Sequence, residues 1–558
     1  MGESTGSTFA ERLNRSLDAA GLKQADLIRA AGARGQKLGK SQVSQYVSGK
    51  TLPRPRVMRL LAELLNVDER WLAAGEGPAA SGAPTATDGS GPAAPSSAAA
   101  TASAASAFAA APPTPARAAA RPETAAPFPS STAASESALQ SGPGPRSTQR
   151  STPMREFKKS TKLDNVLYDV RGPVADEAAR MEDEGLRILK LNIGNPAPFG
   201  FRTPDEVVTD MRQQLPDCEG YSDSKGLFSA RKAIMQYAQL KHIPNVSMDG
   251  IYTGNGVSEL IQLCMNALLD TGDEILIPSP DYPLWTACAT LAGGTPVHYV
   301  CDEEAEWNPD LADLESKITT NTKAIVIINP NNPTGAVYPR EVLEQIVEIA
   351  RRHGLMIFSD EIYDRLCMDG VEHISIASLA PDLPCVTFSG LSKSHMIAGY
   401  RIGWMILSGN KRCMRDFIYG INMLSNMRLC SNVPAQSVVQ TALGGYQSVE
   451  RYVEPGGRIY EQREYVYKAL NEIPGISAVK PKAAFYIFPK MDVERFNITD
   501  DEQFALDLLH EKRILITRGG GFNWGKPDHF RIVYLPRMEV LHEALTDLAD
   551  FFAHYRQG

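Results

Sequence analysis

A long run that cannot build a core divides this chain. Between positions 77 and 153 the sequence is nearly all Ala, Pro, Ser, Gly and Thr, as in SSAAATASAASAFAAAPPTPARAAARP. It lacks the apolar periodicity whose burial offsets the entropy of ordering, so it reads as a disordered linker. Ala runs favour transient helix, but the interspersed Pro, Ser and Gly keep them short. As a flexible coil its ends lie on the order of 45–50 Å apart, which lets the flanking parts move almost independently. One fold across all 558 residues is therefore excluded. The expected organisation is a head over 1–76, the linker over 77–153 and a body over 154–558.

Charge divides in the same way. Residues 1–76 carry twelve Lys/Arg and eight Asp/Glu, a net of +4, while residues 151–558 carry a net of −13 within a total of −8. A basic head on an acidic body points to a polyanion as partner of the head alone. Apolar residues make up 43% and charged residues 22%, as in ordinary globular chains. No stretch of eighteen apolar residues appears, and the first residues have no apolar export signal. The eight cysteines are scattered without a CxxC pair or metal spacing. The expectation is a cytoplasmic protein with reduced thiols and no metal, and not a membrane protein or disulfide scaffold.

In the head, Phe9, Leu13 and Leu17 place an apolar stripe on one helix, and Gly21 ends it. Gln24-Ala25-Asp26-Leu27-Ile28 opens a second helix, closed near Gly32. A third runs from about Lys40 through Val47, with Val43 and Tyr46 inward and Ser41, Gln42, Ser44 and Gln45 outward. After Pro53 and Pro55 comes the most apolar helix, with Val57, Leu60, Leu61, Leu64 and Leu65, and Leu72 closes the core.

The strings KQADLIRAAG, SQVSQYVSGKTLPR and LLAELLNVDERWLAAGEG resemble the Cro/repressor helix-turn-helix domains over about residues 8–76. The resemblance implies double-stranded DNA as partner, with Lys40, Ser41, Gln42, Ser44 and Gln45 in the major groove and Gln24 at the backbone or first base. Lys50, Arg54 and Arg56 are phosphate candidates. The sequence departs from that family by inserting ARGQKLG between the second and third helices. The other reading of the head is a helical docking module with a solvated basic face.

In the body, DEILIPSP, KAIVIINP, LMIFSDE and CVTFSG are short apolar runs separated by helical patterns, which indicates a mostly parallel α/β sheet. Ligands in such sheets lie at the carboxyl ends of strands, where Asn332, Asp360 and Lys393 fall. The Lys393 amine can form a Schiff base with an aldehyde cofactor. The Asp360 carboxylate can pair with a protonated pyridine nitrogen. Tyr363 lies one turn on if the strand gives way to a helix. The Asn332 amide can donate to a phenolate oxygen. Gly254-Asn255-Gly256 before an apolar helix can hold a phosphate, with Arg401 adding a charged contact.

Taken in order, Gly256, Tyr282, Asn332, Asp360, Tyr363, Lys393, Arg401 and Arg531 resemble the fold-type I, pyridoxal-phosphate-dependent class I/II aminotransferases over about residues 155–558, with NPNNPTG, SDEIYD and GLSKSHMIAGYRIGW as the specific strings. YDVRGP, LNIGNPAPFGF, PSPDYPLWTA and ALGGYQS are similar to the bacterial alanine aminotransferases, which exchange an amino group between glutamate and pyruvate. The resemblance implies an α/β body with a large domain of about 205–455 and a small domain of about 154–204 plus 456–558. It implies pyridoxal 5′-phosphate as cofactor, amino acids and 2-oxo acids as substrates, and a homodimer.

It also implies roles. Lys393 is the Schiff-base lysine and proton carrier, Asp360 keeps the ring nitrogen protonated, and Tyr363 and Asn332 bond the ring's 3-oxygen. Tyr282 stacks on the ring. The Gly256 and Val257 amides, Arg401 and Ser392 take the phosphate, joined by Tyr221 of a second subunit. Arg531 forks onto the substrate α-carboxylate with help from the Gly194 backbone. A phosphate-binding serine of many relatives is replaced by Gly390, flanked by Ser389 and Ser392. For the substrate side chain the candidates are Tyr168, Arg171 and Arg428, with branched or aromatic amino acids as further donors. The alternative function is a transcription regulator whose aminotransferase-like body senses a ligand without turnover. The complete set Lys393, Asp360, Tyr363, Asn332 and Arg531 favours catalysis.

Overall fold

A computed structural model describes residues 8–34, 38–53, 55–75, 156–164, 166, 168 and 172–558. They belong to two compact units, one within Met1–Pro145 and one within Arg146–Gly558. The expected linker lies outside the described residues. Among the described residues no helix is long and apolar enough to cross a membrane, and no His/Cys/Asp/Glu group could hold a metal ion.

The described residues of the first unit form five helices: α1 (Phe9–Ala19), α2 (Gln24–Ala33), α3 (Lys40–Val47), α4 (Pro55–Leu65) and α5 (Glu69–Ala74). Thr8 caps α1, and the Glu11 carboxylate accepts from the Thr8 N–H at 2.8 Å, a reciprocal cap that satisfies two orphan donors. Gly21 adopts the left-handed φ of +65° that ends α1. Leu13, Leu17, Leu27, Val43, Tyr46, Leu61 and Leu72 share one core, so the 3.6-residue pattern read from the sequence does face inward. Arg12 is also buried there. Its Nε and Nη2 donate to the Leu72 and Ala73 carbonyls at 3.0 and 2.8 Å, tying α1 to the electronegative end of α5.

The second unit is built on eight strands: β1 (Ile251–Gly254), β2 (Glu274–Ser279), β3 (Thr295–Asp302), β4 (Asn308–Pro309), β5 (Thr322–Ile328), β6 (Met356–Asp360), β7 (Cys385–Gly390) and β8 (Gly403–Ser408). Their order is β1-β8-β7-β6-β5-β2-β3-β4. Strands β7, β6, β5, β2 and β3 pair in parallel, and β8 runs antiparallel to both β7 and β1. Both faces are covered, which is why these strands read as continuous apolar runs. Ile275 and Ile277 pack on one face with Leu260 and Ile261 of α6 (Val257–Leu268), while Leu276 packs on the other with Ile234 of a helix over Phe228–Leu240.

The smaller layer joins distant segments. Strands β9 (Tyr486–Ile487), β10 (Thr517–Arg518) and β11 (Phe530–Val533) form an antiparallel sheet in the order β9-β11-β10, and Leu189–Lys190 pairs in parallel with Ile514–Leu515. The Leu191 amide donates to Leu515 O, and the Val533 amide to Leu191 O, so the segment before Asn192 is laced between these strands.

One local expectation fails. The chain does not enter a helix after Asp360; residues 362–365 are turns. The Glu361 N–H is taken by Phe388 O, the Ile362 N–H by the Asp360 carboxylate, and the Asp364 N–H by Glu361 O. The first bond continues the pairing with β7 and the other two close tight turns, in which Tyr363 lies. Ile357→Ala, which empties a fully buried site three residues before Asp360, is expected to cost about 2–5 kcal/mol, read as a lower midpoint of chemical unfolding.

Candidate active site and nucleic-acid face

At the carboxyl end of the parallel strands lies a cavity of about 270 Å³. Its wall includes Tyr168, Gly194, Val257, Tyr282, Asn332, Asp360, Tyr363, Ser392, Lys393, Arg401 and Arg531, which the sequence scatters over more than three hundred positions. Asp360 ends β6, and Lys393 sits on a single helical turn, Leu391–Ser394, that follows β7.

Lys393 Nζ donates to the Gly194 carbonyl at 2.7 Å and stands 5.5 Å from the Phe485 ring. Asp360 is buried. The Trp285 indole N–H and the Ile362 amide each donate to one of its oxygens at 3.3 Å. Burial pushes the Asp360 carboxyl up to about 6 against those two bonds, so it is ionised at neutral pH with a proton within easy reach. Tyr282 is raised well above its usual range, first by burial and then by the Tyr168 hydroxyl 3.3 Å away.

An anion corner forms where α6 begins. Gly256 has φ +81°, and a Cβ there would lie 2.3 Å from Arg401 Nη2, so only glycine lets that guanidinium approach. The Gly256 N–H is donated back to Gly254 O at 2.7 Å. Of the expected glycine and valine amides, therefore, the first is occupied, and it is Val257 and Ser258, in the first turn of α6, that line the cavity. Ser392 also lines it, whereas Ser389 does not. A side chain at Gly390 would meet Ile402 O at 2.8 Å, which explains the glycine there.

On the opposite side the Arg531 guanidinium is sandwiched between the Tyr486 and Phe522 rings, 4.4 and 4.5 Å from their centroids. Nη1 donates to Asn332 Oδ1 at 2.9 Å and Nη2 to the Asn192 carbonyl. Burial lowers its pKa. Its Nε is buried with no protein partner among the described residues, an orphan donor in the cavity wall. Gly194 leaves no space for a side chain, because a Cβ would overlap the Tyr486 hydroxyl, itself 2.8 Å from Tyr363 Oη.

Arg428 and Tyr221, both sequence candidates, do not join this cluster. Arg428 is committed to an ion pair with Glu259 and to the carbonyls of Ser224 and Thr253, and it does not line the cavity. Tyr221 is 81% exposed and also lies outside the cavity. Arg171 falls outside the described residues. Conversely, sequence reasoning missed Tyr486, Trp285 and Ser258. Trp285 lies three residues beyond Tyr282, a spacing that offered a hint, but nothing in FYIF marks Tyr486.

On the head, Gln24, Lys40, Ser44 and Gln45 are exposed along one end of α2 and the surface of α3, with Lys50 exposed beyond. Gln42 is a correction: it is half-buried, its amide donating to the Tyr46 hydroxyl at 2.8 Å. The Ser41 and Arg56 side chains, and Arg54 altogether, lie outside what is described.

Comparison with known proteins agrees with this geometry. Residues 187–548 match the family model for aminotransferase class I and II, and residues 14–72 that for a helix-turn-helix. The glutamate-pyruvate aminotransferase AlaA of Haemophilus influenzae is 58% identical over 404 residues, covering 72% of this chain and 100% of that protein. The alanine aminotransferase of Mycobacterium tuberculosis is 57% identical over 404 residues, 72% of this chain and 94% of its own length. Among solved structures, an aminotransferase from Escherichia coli superposes with a TM-score of 0.72 at 56% identity, covering 72% of this chain and 100% of that one. The alanine aminotransferase of Pyrococcus furiosus gives 0.67 at 39% identity, with 71% and 100% covered.

Because folding raises the Asp360 carboxyl from 3.8 to about 6, the folded state holds that proton more tightly. The resulting stabilisation is full below about pH 3.8 and is lost as pH rises through about 6. In protein freed of bound small molecules, Asp360→Asn is expected to remove about 3 kcal/mol of this pH dependence, measured by chemical unfolding between pH 4 and 8.

Proposed function

The chain belongs to the class I and II aminotransferase family, and on that premise we propose that its body moves an amino group between glutamate and pyruvate with pyridoxal 5′-phosphate as carrier. The reading rests on one observation above all: a lysine amine, a buried carboxylate and a buried arginine with an unpartnered N–H meet in one cavity. Relatives that carry this substrate pair in their names, at 57–58% identity over their whole length, support the choice of substrates.

The donor set fits that cofactor. Bound there, it supplies an aldehyde to take up the amino group and a ring to accept electrons from the substrate Cα. Asp360, its oxygens held by Trp285 and Ile362, would keep the ring nitrogen protonated. Tyr282 would cover the ring face, and the Asn332 amide and Tyr363 hydroxyl would bond its 3-oxygen. Val257, Ser258, Ser392 and Arg401 would take the phosphate, where the start of a twelve-residue helix favours negative charge.

Lys393 Nζ, once drawn from the Gly194 carbonyl, would carry the proton between the substrate Cα and C4′ of the cofactor. Arg531 keeps Nε free and a planar fork of donors, so it would hold the α-carboxylate while Asn332 and the Asn192 carbonyl fix its plane. Tyr168, with Arg171 on the same arm, would read the substrate side chain.

We assign Tyr221 to the phosphate of a second subunit. Support comes from its exposure and from an exposed apolar stripe, Tyr419, Met423 and Met427, on one face of the Arg415–Met427 helix. The head is assigned to double-stranded DNA, with Gln24, Lys40, Ser44 and Gln45 facing it.

Lys393→Ala is expected to reduce pyruvate formation from alanine and 2-oxoglutarate by at least about 10,000-fold; near-normal turnover would defeat the assignment. Lys50→Ala, at an exposed phosphate candidate, is expected to weaken binding of duplex DNA uniformly across sequences and to lower the slope of log affinity against log salt by about 1, read by fluorescence anisotropy.

A further inference from the structure

The cavity has two walls that belong to different layers of the body. Tyr282 follows the end of β2 in the large sheet, and Phe522, which backs the Arg531 guanidinium, lies in the Gly519–Phe522 turn after β10. Between them runs a seam of hydrogen bonds centred on a residue that the proposed chemistry does not use. Asp281 is completely buried. Its N–H donates to Phe522 O at 2.9 Å, its Oδ1 accepts from Asn523 Nδ2 at 2.7 Å, and its Oδ2 accepts from the Thr286 hydroxyl at 2.9 Å. Ser279 Oγ donates to Asn523 O at 2.8 Å, and Thr286 Oγ1 in turn meets His298 Nε2 at 2.9 Å.

We propose that Asp281 is a positioning residue: by clasping Asn523 it holds the Tyr282 wall and the Phe522–Arg531 wall at the separation that a substrate carboxylate needs. The inference deepens the reading of Arg531 as carboxylate binder and rests on it. Asn523 has the left-handed φ of +55°, so its side chain is aimed by a backbone turn that few other residues adopt easily. A hydrophobic contact alone would let the Phe522 turn slide; paired bonds at both ends of Asn523 fix its distance and its rotation. Burial pushes the Asp281 carboxyl up to about 7 even with the Asn523 and Thr286 bonds opposing it, so this carboxyl is kept in place at the expense of its charge. A buried carboxyl kept directly behind the Tyr282 wall points to a positional role, since an apolar residue there would be easier to accommodate.

The proposal separates from a merely structural role in the kinetics of the full-length holoenzyme. Asp281→Ala and Asn523→Ala are each expected to raise KM for alanine and for 2-oxoglutarate about tenfold while kcat changes little, since each strips one buried partner from the clasp. The double variant should then add little to either single one. Asp281→Asn is expected to recover most of the loss. Its carbonyl still accepts from Asn523 and its amide donates to Thr286, whose hydroxyl then turns to His298; burial brings His298 down to about 4, leaving its ring neutral and able to accept. Unchanged KM in Asp281→Ala or Asn523→Ala, or additive effects in the double variant, would overturn the clasp. Arg531→Lys is the reference. If it raises KM and the seam variants do not, only the clasp fails. If it leaves KM unchanged, the carboxylate reading of Arg531 fails first. Should Asp281→Ala not fold, Asn523→Ala and Asp281→Asn decide the matter alone.

Discussion

A guanidinium with almost no access to water organises this molecule. Arg531 sits between two aromatic rings and gives its outer nitrogens to Asn332, in the turn after β5, and to a carbonyl of the segment before Gly194. A charge held in that way is costly unless its donors are used, and here Nε is kept without a protein partner. Among the described residues that donor is left unsatisfied, so under the proposed reading a substrate carboxylate would supply its partner. Three chain segments, around 192, 332 and 531, must be in register before that arrangement exists.

The remaining site features follow from close approach. Gly194 must lack a side chain for the Tyr486 hydroxyl to reach Tyr363, and Gly256 must lack one for Arg401 to reach the start of α6. Asp360 is handled in the opposite way. Its two oxygens are satisfied by an indole and an amide, yet burial still lifts its pKa to about 6. Asp360 is thus dry yet ionised near neutrality, and it shares the cavity with a lysine amine bonded to one carbonyl at 2.7 Å.

The head works on different terms. Its core is small and regular, and the buried Arg12 ties α1 to α5. Among the described residues its polar face is a set of exposed side chains, Gln24, Lys40, Ser44 and Gln45. Recognition of a polyanion can rely on surface charge and shape, while transamination needs preorganised buried groups.

The sequence alone was enough for four of the five helices described in the head, the parallel strands and most of the residues at their ends. These are carried by local signals: composition, periodicity, capping and turn residues, and motif strings that place Lys393, Asp360 and Asn332 at strand termini. Tertiary structure decided the rest. Arg428, read as a pocket candidate, is claimed by Glu259 across 169 positions, and Gly256, read as an amide donor, has spent its N–H on Gly254. Tyr486 and the Asp281–Asn523 seam were invisible because no periodicity records which distant side chain will occupy a buried donor. Local chemistry determines which groups a segment can offer; only the packed chain determines which of those offers remain open.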